Sequence, residues 1–243
     1  DGVKFVSKAL KKGGKYIISS KNIKKYKRRI IKVDNEYNFL NYYASQKREK
    51  SKAKIIAVTG SAGKTSLKNL IKDQLDSFGK TFCSPKSFNN YLGVPLSLSQ
   101  LNTNHQFAVF EVGMSKAGEI HSLSKLIRPH IGIITNVGEA HIENFKNLNG
   151  IAKAKGEIIN NIKKNGALIL NRDDKYFDYF KKRAKFKNLR VISFGTSKKS
   201  DVYPISFKRN KKEKKLTFKI FDQILKIKVK NLNIHNILAT LTL

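Results

Sequence analysis

The chain has 243 residues, of which 40% are hydrophobic and 28% charged, a globular balance that argues against a disordered or fibrous protein. Its single cysteine, Cys83, excludes an internal disulfide framework and suits a reducing cytosol, and no apolar run approaches the roughly 18 residues of a membrane span. The formal charge of +33 would ordinarily point to nucleic acid or an anionic membrane, but residues 55 to 145 hold eight Lys/Arg against six Asp/Glu, so the excess lies in the flanks.

Lysine outnumbers arginine 42 to 8, whereas base reading leans on arginine and interleaved aromatics. The charge therefore reads as solvated lysine surface, and neither a nucleic-acid nor a membrane partner is expected. No signal-peptide pattern opens the chain, which begins at Asp1.

In chain order, residues 1 to about 50 carry a Lys-rich helix around Val3 to Lys12, a short strand at Tyr16 to Ser19 and a basic connector through Lys47 to Lys54. They read as part of a small N-terminal α/β domain plus a linker, and 51–243 as the central domain. From Ile55 the pattern alternates: strand 55–59, helix 64–78, strand 107–112, helix 118–127, strand 131–135, helix 149–162, strand 167–170, helix 174–184, strand 191–194. Alternation at these lengths predicts an α/β fold with a mostly parallel, doubly wound sheet. Asp201 to Lys230 reads as β-hairpins, with Lys-Lys-Glu-Lys-Lys at 211–215 as a turn.

The first strand runs into Gly60, Ser61, Ala62, Gly63, Lys64, Thr65 and Ser66. Glycines at both ends let backbone amides curl around an anion, Lys64 supplies positive charge, and the Thr65 hydroxyl can meet magnesium. Leu67, Leu70, Ile71, Leu75 and Phe78 recur near helical period, so the loop opens a helix whose N-terminus favours phosphate. The longer Walker pattern would place glycine where Val58 stands, so only the short form is met.

Two later strands end in polar groups: Glu111 at one tip, and His141 just beyond the next. A carboxylate is a natural magnesium ligand and imidazole can share a site with water and phosphate, although a strand end and a helix cap would use the same residues. Asn89 and Asn90, in a turn-rich approach to a helix, can offer amides to a polar substrate. Lys153 and Lys155 carry no weight by themselves among so many lysines.

The ordered segments Thr59-Gly-Ser-Ala-Gly-Lys-Thr-Ser66, Phe88-Asn-Asn-Tyr-Leu-Gly-Val-Pro95, Glu111-Val-Gly, Gly118-Glu-Ile120, Asn136-Val-Gly-Glu-Ala-His141 and Ala154-Lys-Gly-Glu157 resemble the Mur ligases. The resemblance spans about residues 55 to 172 and is nearest to the branch that adds D-alanyl-D-alanine to UDP-N-acetylmuramoyl-tripeptide. Asp1-Gly-Val-Lys-Phe-Val also resembles the end of that family's UDP-binding domain. The resemblance implies a cytoplasmic, monomeric ligase that uses ATP and Mg²⁺ to make an acyl phosphate, which an amine then converts to an amide.

On that resemblance, Lys64 and the loop hold the phosphates, Thr65 and Glu111 ligate a first Mg²⁺, and His141 a second. Lys155, fourteen residues after His141, has the family's spacing for a lysine that can be carbamylated near that metal. His235 and Asn236 match an adenine-contacting segment, but Ala239 stands where a second asparagine is common. The resemblance also implies more of a first domain before Asp1 and a third domain beyond Leu243, without which the chain is expected to bind nucleotide poorly and catalyse nothing alone. A sister ligase, such as the tripeptide-forming enzyme or folylpolyglutamate synthase, a nucleotide-binding module without catalysis and a nucleic-acid binder are the rival readings.

Overall fold

Side chains along a strand alternate between its faces, so an apolar run with no polar alternation must be covered on both sides. Ile55 and Ala57 enter one hydrophobic core while Ile56 and Val58 enter another. Helices supply the cover. The computed structural model describes residues 2–140, 142–209, 214–229 and 233–243.

The small N-terminal part holds α1 (Val6–Lys11) and two short parallel strands, β1 (Ile17–Ser19) and β2 (Ile30–Lys32). A long helix, α2 (Glu36–Lys50), leads to β3 (Lys54–Thr59), α3 (Lys64–Leu75), β4 (Thr81–Cys83) and α4 (Gly93–Ser99). There follow β5 (Phe107–Glu111), α5 (Glu119–Ile127), β6 (Ile131–Ile134), α6 (Leu148–Lys155), β7 (Ala167–Asn171), α7 (Phe177–Phe186) and β8 (Arg190–Phe194). The chain then forms β9 (Val202–Arg209), β10 (Lys214–Ile220), β11 (Gln223–Val229) and α8 (Ile234–Thr240).

Among the described residues, nine strands form one sheet in the order β11-β10-β9-β8-β7-β6-β3-β5-β4. Pairing is parallel from β4 to β9 and antiparallel through β9, β10 and β11. After β3 the chain moves to β4 and β5 on one side, then crosses to β6 on the other. β3 is thus the switch point at which ligands of such sheets collect. Residues of α3 and α8 pack with Ile56 and Val58, whereas residues of α2, α4, α5, α6 and α7 share the core on the opposite face. Asparagines open three helices: Asn35, Asn147 and Asn233 each accept a hydrogen bond from the N–H three residues on.

The five predicted strands of the parallel sheet and the hairpin region stand where the sequence predicts them, β2 and β4 are strands it did not predict, and the other differences have local causes. The helix expected at 64–78, α3, ends at Leu75, leaving Phe78 exposed. The expected helix 149–162 is α6 followed by a tighter 3₁₀ segment, Gly156–Asn161, the change falling at a weak helix former. The expected helix 174–184 starts only at Phe177, because Asp174 accepts the Tyr176 N–H and holds a turn there. β10 begins inside the turn expected at 211–215, and residues 210–213 lie outside those described. No helix among the described residues is long and apolar enough to cross a membrane.

The first half of the expected basic connector, Lys47 to Lys50, is the end of α2, and Lys54 already belongs to β3. α2 buries only Ala44 and Arg48, so it has almost no apolar stripe for sequence periodicity to detect. Arg48 explains its seat: Nε donates to Ile127 O at 2.5 Å and Nη2 to Arg128 O at 2.7 Å, satisfying carbonyls at the end of α5. Burial lowers the Arg48 pKa to about 10, with Arg128 acting in the same direction and Glu49 against it, so the guanidinium is charged at neutral pH. Arg48→Met removes both bonds and leaves those carbonyls without a partner. Urea unfolding should show a loss of about 1–3 kcal/mol; unchanged stability would mean that α2 is held by its other contacts.

Candidate functional site

The turn after β3 must reverse tightly onto α3, and its two glycines meet that need at different points. Gly60 has φ +150° and a Cβ there would overlap the Thr135 hydroxyl; Gly63, at φ +82°, precedes α3 in a left-handed conformation and lies against Asn236. The first turn of α3 then points N–H groups without intrahelical partners toward the mouth of the loop.

The loop is braced from the tip of β6. Asn136 Oδ1 accepts the Ser61 N–H (3.1 Å) and the Ala62 N–H (2.9 Å), and Thr135 Oγ1 donates to Ala62 O (2.7 Å). Ser61 Oγ donates to Gly138 O and accepts the Gly138 N–H. Lys64 folds back over the loop, donating to Gly60 O at 2.7 Å; burial lowers its pKa, opposed by the charge of Glu111.

Glu111 sits at the end of β5, paired in register with Val58, and is 1% exposed. Its Oε2 accepts the Thr65 hydroxyl at 2.8 Å and its Oε1 the Asn89 amide at 2.7 Å. Three sequence-predicted residues are therefore one cluster. Asn90 has a different neighbour: its Oδ1 accepts the N–H groups of Leu92 and Gly93 and starts α4. Lys155, 3% exposed at the end of α6, has no hydrogen-bond partner among the described residues. Burial, reinforced by the Lys64 charge and opposed by Asp174, lowers its pKa to about 7, which sets it near Lys64. His141 lies outside the described residues.

At the other rim, Asn236 is 3% exposed with Nδ2 3.4 Å from Gly63 O, while His235 Nε2 is 3.1 Å from Asp173 Oδ2. Asp173 also accepts the Thr196 N–H and hydroxyl. Burial raises its pKa, but these bonds outweigh burial and hold it below the usual range. Ala239 is packed in the core beside α3.

Sequence reasoning missed Asn136 as a brace, Asp173 as the partner of His235, and Lys68. The last had a legible signal: Lys68 interrupts the apolar face formed by Leu67 and Ile71, where a charge is not expected without a partner.

The pattern of the Mur ligase middle domain matches residues 58–243. The chain is 40% identical over 212 residues to the UDP-N-acetylmuramoyl-tripeptide–D-alanyl-D-alanine ligase of Rickettsia prowazekii, covering 86% of this chain and 47% of that protein. This chain belongs to the Mur ligase family. Two solved structures share its fold: MurF from Acinetobacter baumannii (TM-score 0.85, 28% identity, 98% of this chain and 52% of that one) and MurF from Thermotoga maritima in complex with ADP (TM-score 0.84, 27% identity, 99% and 55%). This Mur ligase chain thus spans about half the length of the relatives it matches.

Folding this Mur ligase chain moves the Lys155 ammonium from water, where a lysine titrates near 10.5, to a place where it titrates near 7. Between those values the unfolded chain binds the extra proton, so Lys155 makes the protein more stable as pH rises from about 7 toward 10 and carries its full penalty below 7. In CO₂-free buffer, Lys155→Met should therefore gain stability over the parent at pH 6, and the gain should shrink by pH 10. A pH-independent difference in chemical denaturation would show that Lys155 is not desolvated.

Proposed function

We propose that this chain is the nucleotide-binding core of a cytoplasmic, ATP-dependent ligase that joins D-alanyl-D-alanine to UDP-N-acetylmuramoyl-tripeptide in peptidoglycan precursor synthesis. The observation that carries the proposal is the convergence of Thr65 and Asn89 on the enclosed Glu111 carboxylate at the mouth of the loop. In this reading residues 1–50 are the end of a UDP-substrate domain with its linker, and 51–243 the nucleotide domain.

The N–H groups at the start of α3 and the Lys64 ammonium hold the β- and γ-phosphates, and Lys64 follows the charge as the γ-phosphoryl group moves to the substrate carboxylate. The amine of the incoming dipeptide then displaces phosphate from the acyl phosphate. Asn89 and Asn90 face the peptide substrate, and His235 and Asn236 face adenine. The hydroxyl of Thr65 and the carboxylate of Glu111 are hard oxygen donors on adjoining elements, a set that fits Mg²⁺. Mg²⁺ held there would neutralise charge developing on the phosphoryl oxygens. His141 and Lys155 would hold a second cation. Above pH 7 the Lys155 amine is largely neutral and able to add CO₂ with release of a proton to solvent, becoming a carbamate with oxygen donors.

Calorimetric titration with ATP and Mg²⁺ tests the nucleotide assignment. Lys64→Ala should lower affinity by about tenfold or more, since a hydrogen bond to a charged group contributes about 1.5–3 kcal/mol. Equal affinity in parent and variant would remove the loop from the site. Short DNA, titrated in parallel, should lose its binding between low and physiological salt.

A further inference from the structure

Lys68 lies one turn beyond Lys64 on α3, on the face turned into the protein, with a side chain 1% exposed. Its Nζ donates to Ser84 O at 2.7 Å and to Lys86 O, and stands 3.8 Å from Glu111 Oε2. That oxygen also accepts the Thr65 hydroxyl. Both carbonyls belong to the segment that leads from β4 to Asn89, whose amide holds the other Glu111 oxygen. Lys68 thus holds two parts of the cluster at once: the carboxylate, and the segment that delivers Asn89 to it.

The charges decide what this cluster attracts. Before nucleotide arrives, Lys64 and Lys68 face Glu111 with one net positive charge. A free divalent cation approaching Glu111 meets that excess in an interior where charges are weakly screened, and it finds both carboxylate oxygens already accepting hydrogen bonds. Among the described residues no three His, Cys, Asp or Glu side chains are grouped to hold an ion. Mg²⁺ requires about six oxygen ligands, so the phosphates would have to complete the set. A nucleoside di- or triphosphate brings about three or four negative charges to the start of α3 and reverses the sign of the site.

We propose that Lys68 is a positioning residue, the resident counter-ion of Glu111, and that it makes the first divalent position form only together with the nucleotide. The inference rests on reading Gly60–Ser66 as the phosphate loop. It assigns Lys68 a role in the order of binding: nucleotide enters with its metal or ahead of it, and metal alone has no place to sit.

Water-proton relaxation enhancement by Mn²⁺, which reports the ion only when a slowly tumbling macromolecule carries it, tests this on the 243-residue chain. The parent should bind Mn²⁺ at least about tenfold more tightly with ADP than without. Lys68→Met and Lys68→Gln, checked for native circular dichroism, should bind Mn²⁺ alone about tenfold or more tightly than the parent does, and Lys68→Arg should behave as the parent. A folded uncharged variant with parental Mn²⁺ affinity would overturn the proposal. So would a parent chain that binds Mn²⁺ equally well with and without ADP, a comparison that decides the matter even if neither uncharged variant folds. A fluorescent ADP analogue, titrated in EDTA, separates the two levels: no nucleotide binding at all overturns the loop reading and this inference with it. Nucleotide binding alongside nucleotide-independent Mn²⁺ overturns this inference alone.

Discussion

A carboxylate enclosed in the protein must be surrounded by donors, and the arrangement around Glu111 follows from that requirement. An uncompensated buried charge costs several kcal/mol, so the residues that approach it are constrained to stay. Thr65 comes from the first turn of α3, Asn89 from the segment after β4, and Lys68 from the next turn of α3. The register Val58↔Glu111 fixes where the carboxylate stands, because it sets the tip of β5 beside the end of β3. One side chain thereby links a strand register, a helix start and a loop conformation.

The opposite side of the loop is fixed by neutral groups. Thr135 and Asn136 follow β6, which pairs with β3 up to Thr59↔Ile134, and Asn236 is carried in by α8. With the loop held from three directions, the N–H groups at the start of α3 keep one orientation, and in the proposed function little reorganisation would remain when the phosphates bind. The cost of this arrangement is a set of charges in an enclosed place. Lys64 and Lys155 both respond by lowered pKa values, and Lys155 does so far enough to be half neutral near pH 7.

The alternation of strands and helices was legible because strands such as β3, β5 and β7 carry apolar runs without polar alternation, and the loop because glycine, lysine and threonine have few reasons to stand in that order. Glu111 and Asn89 were legible as candidates, but their contact was not, since it depends on β4 placing the intervening segment against α3. That strand is only three residues long, below what periodicity can register. α2 was hidden for the opposite reason: a 15-residue helix seated through one arginine and one alanine looks like a solvated connector. Lys68 was hidden by abundance, because among 42 lysines only its position on an apolar face set it apart.

In the proposed function Glu111 connects the loop to a cation that accompanies the nucleotide. The most direct test of this connection is the Mg²⁺ dependence of ADP affinity in the parent and in Glu111→Gln, which keeps the size of the side chain and removes its charge. Mg²⁺ should strengthen ADP binding to the parent by about tenfold, as a single well-placed charge contact allows, and have little effect on the variant. An equal strengthening of both, in a variant that remains folded, would contradict the connection.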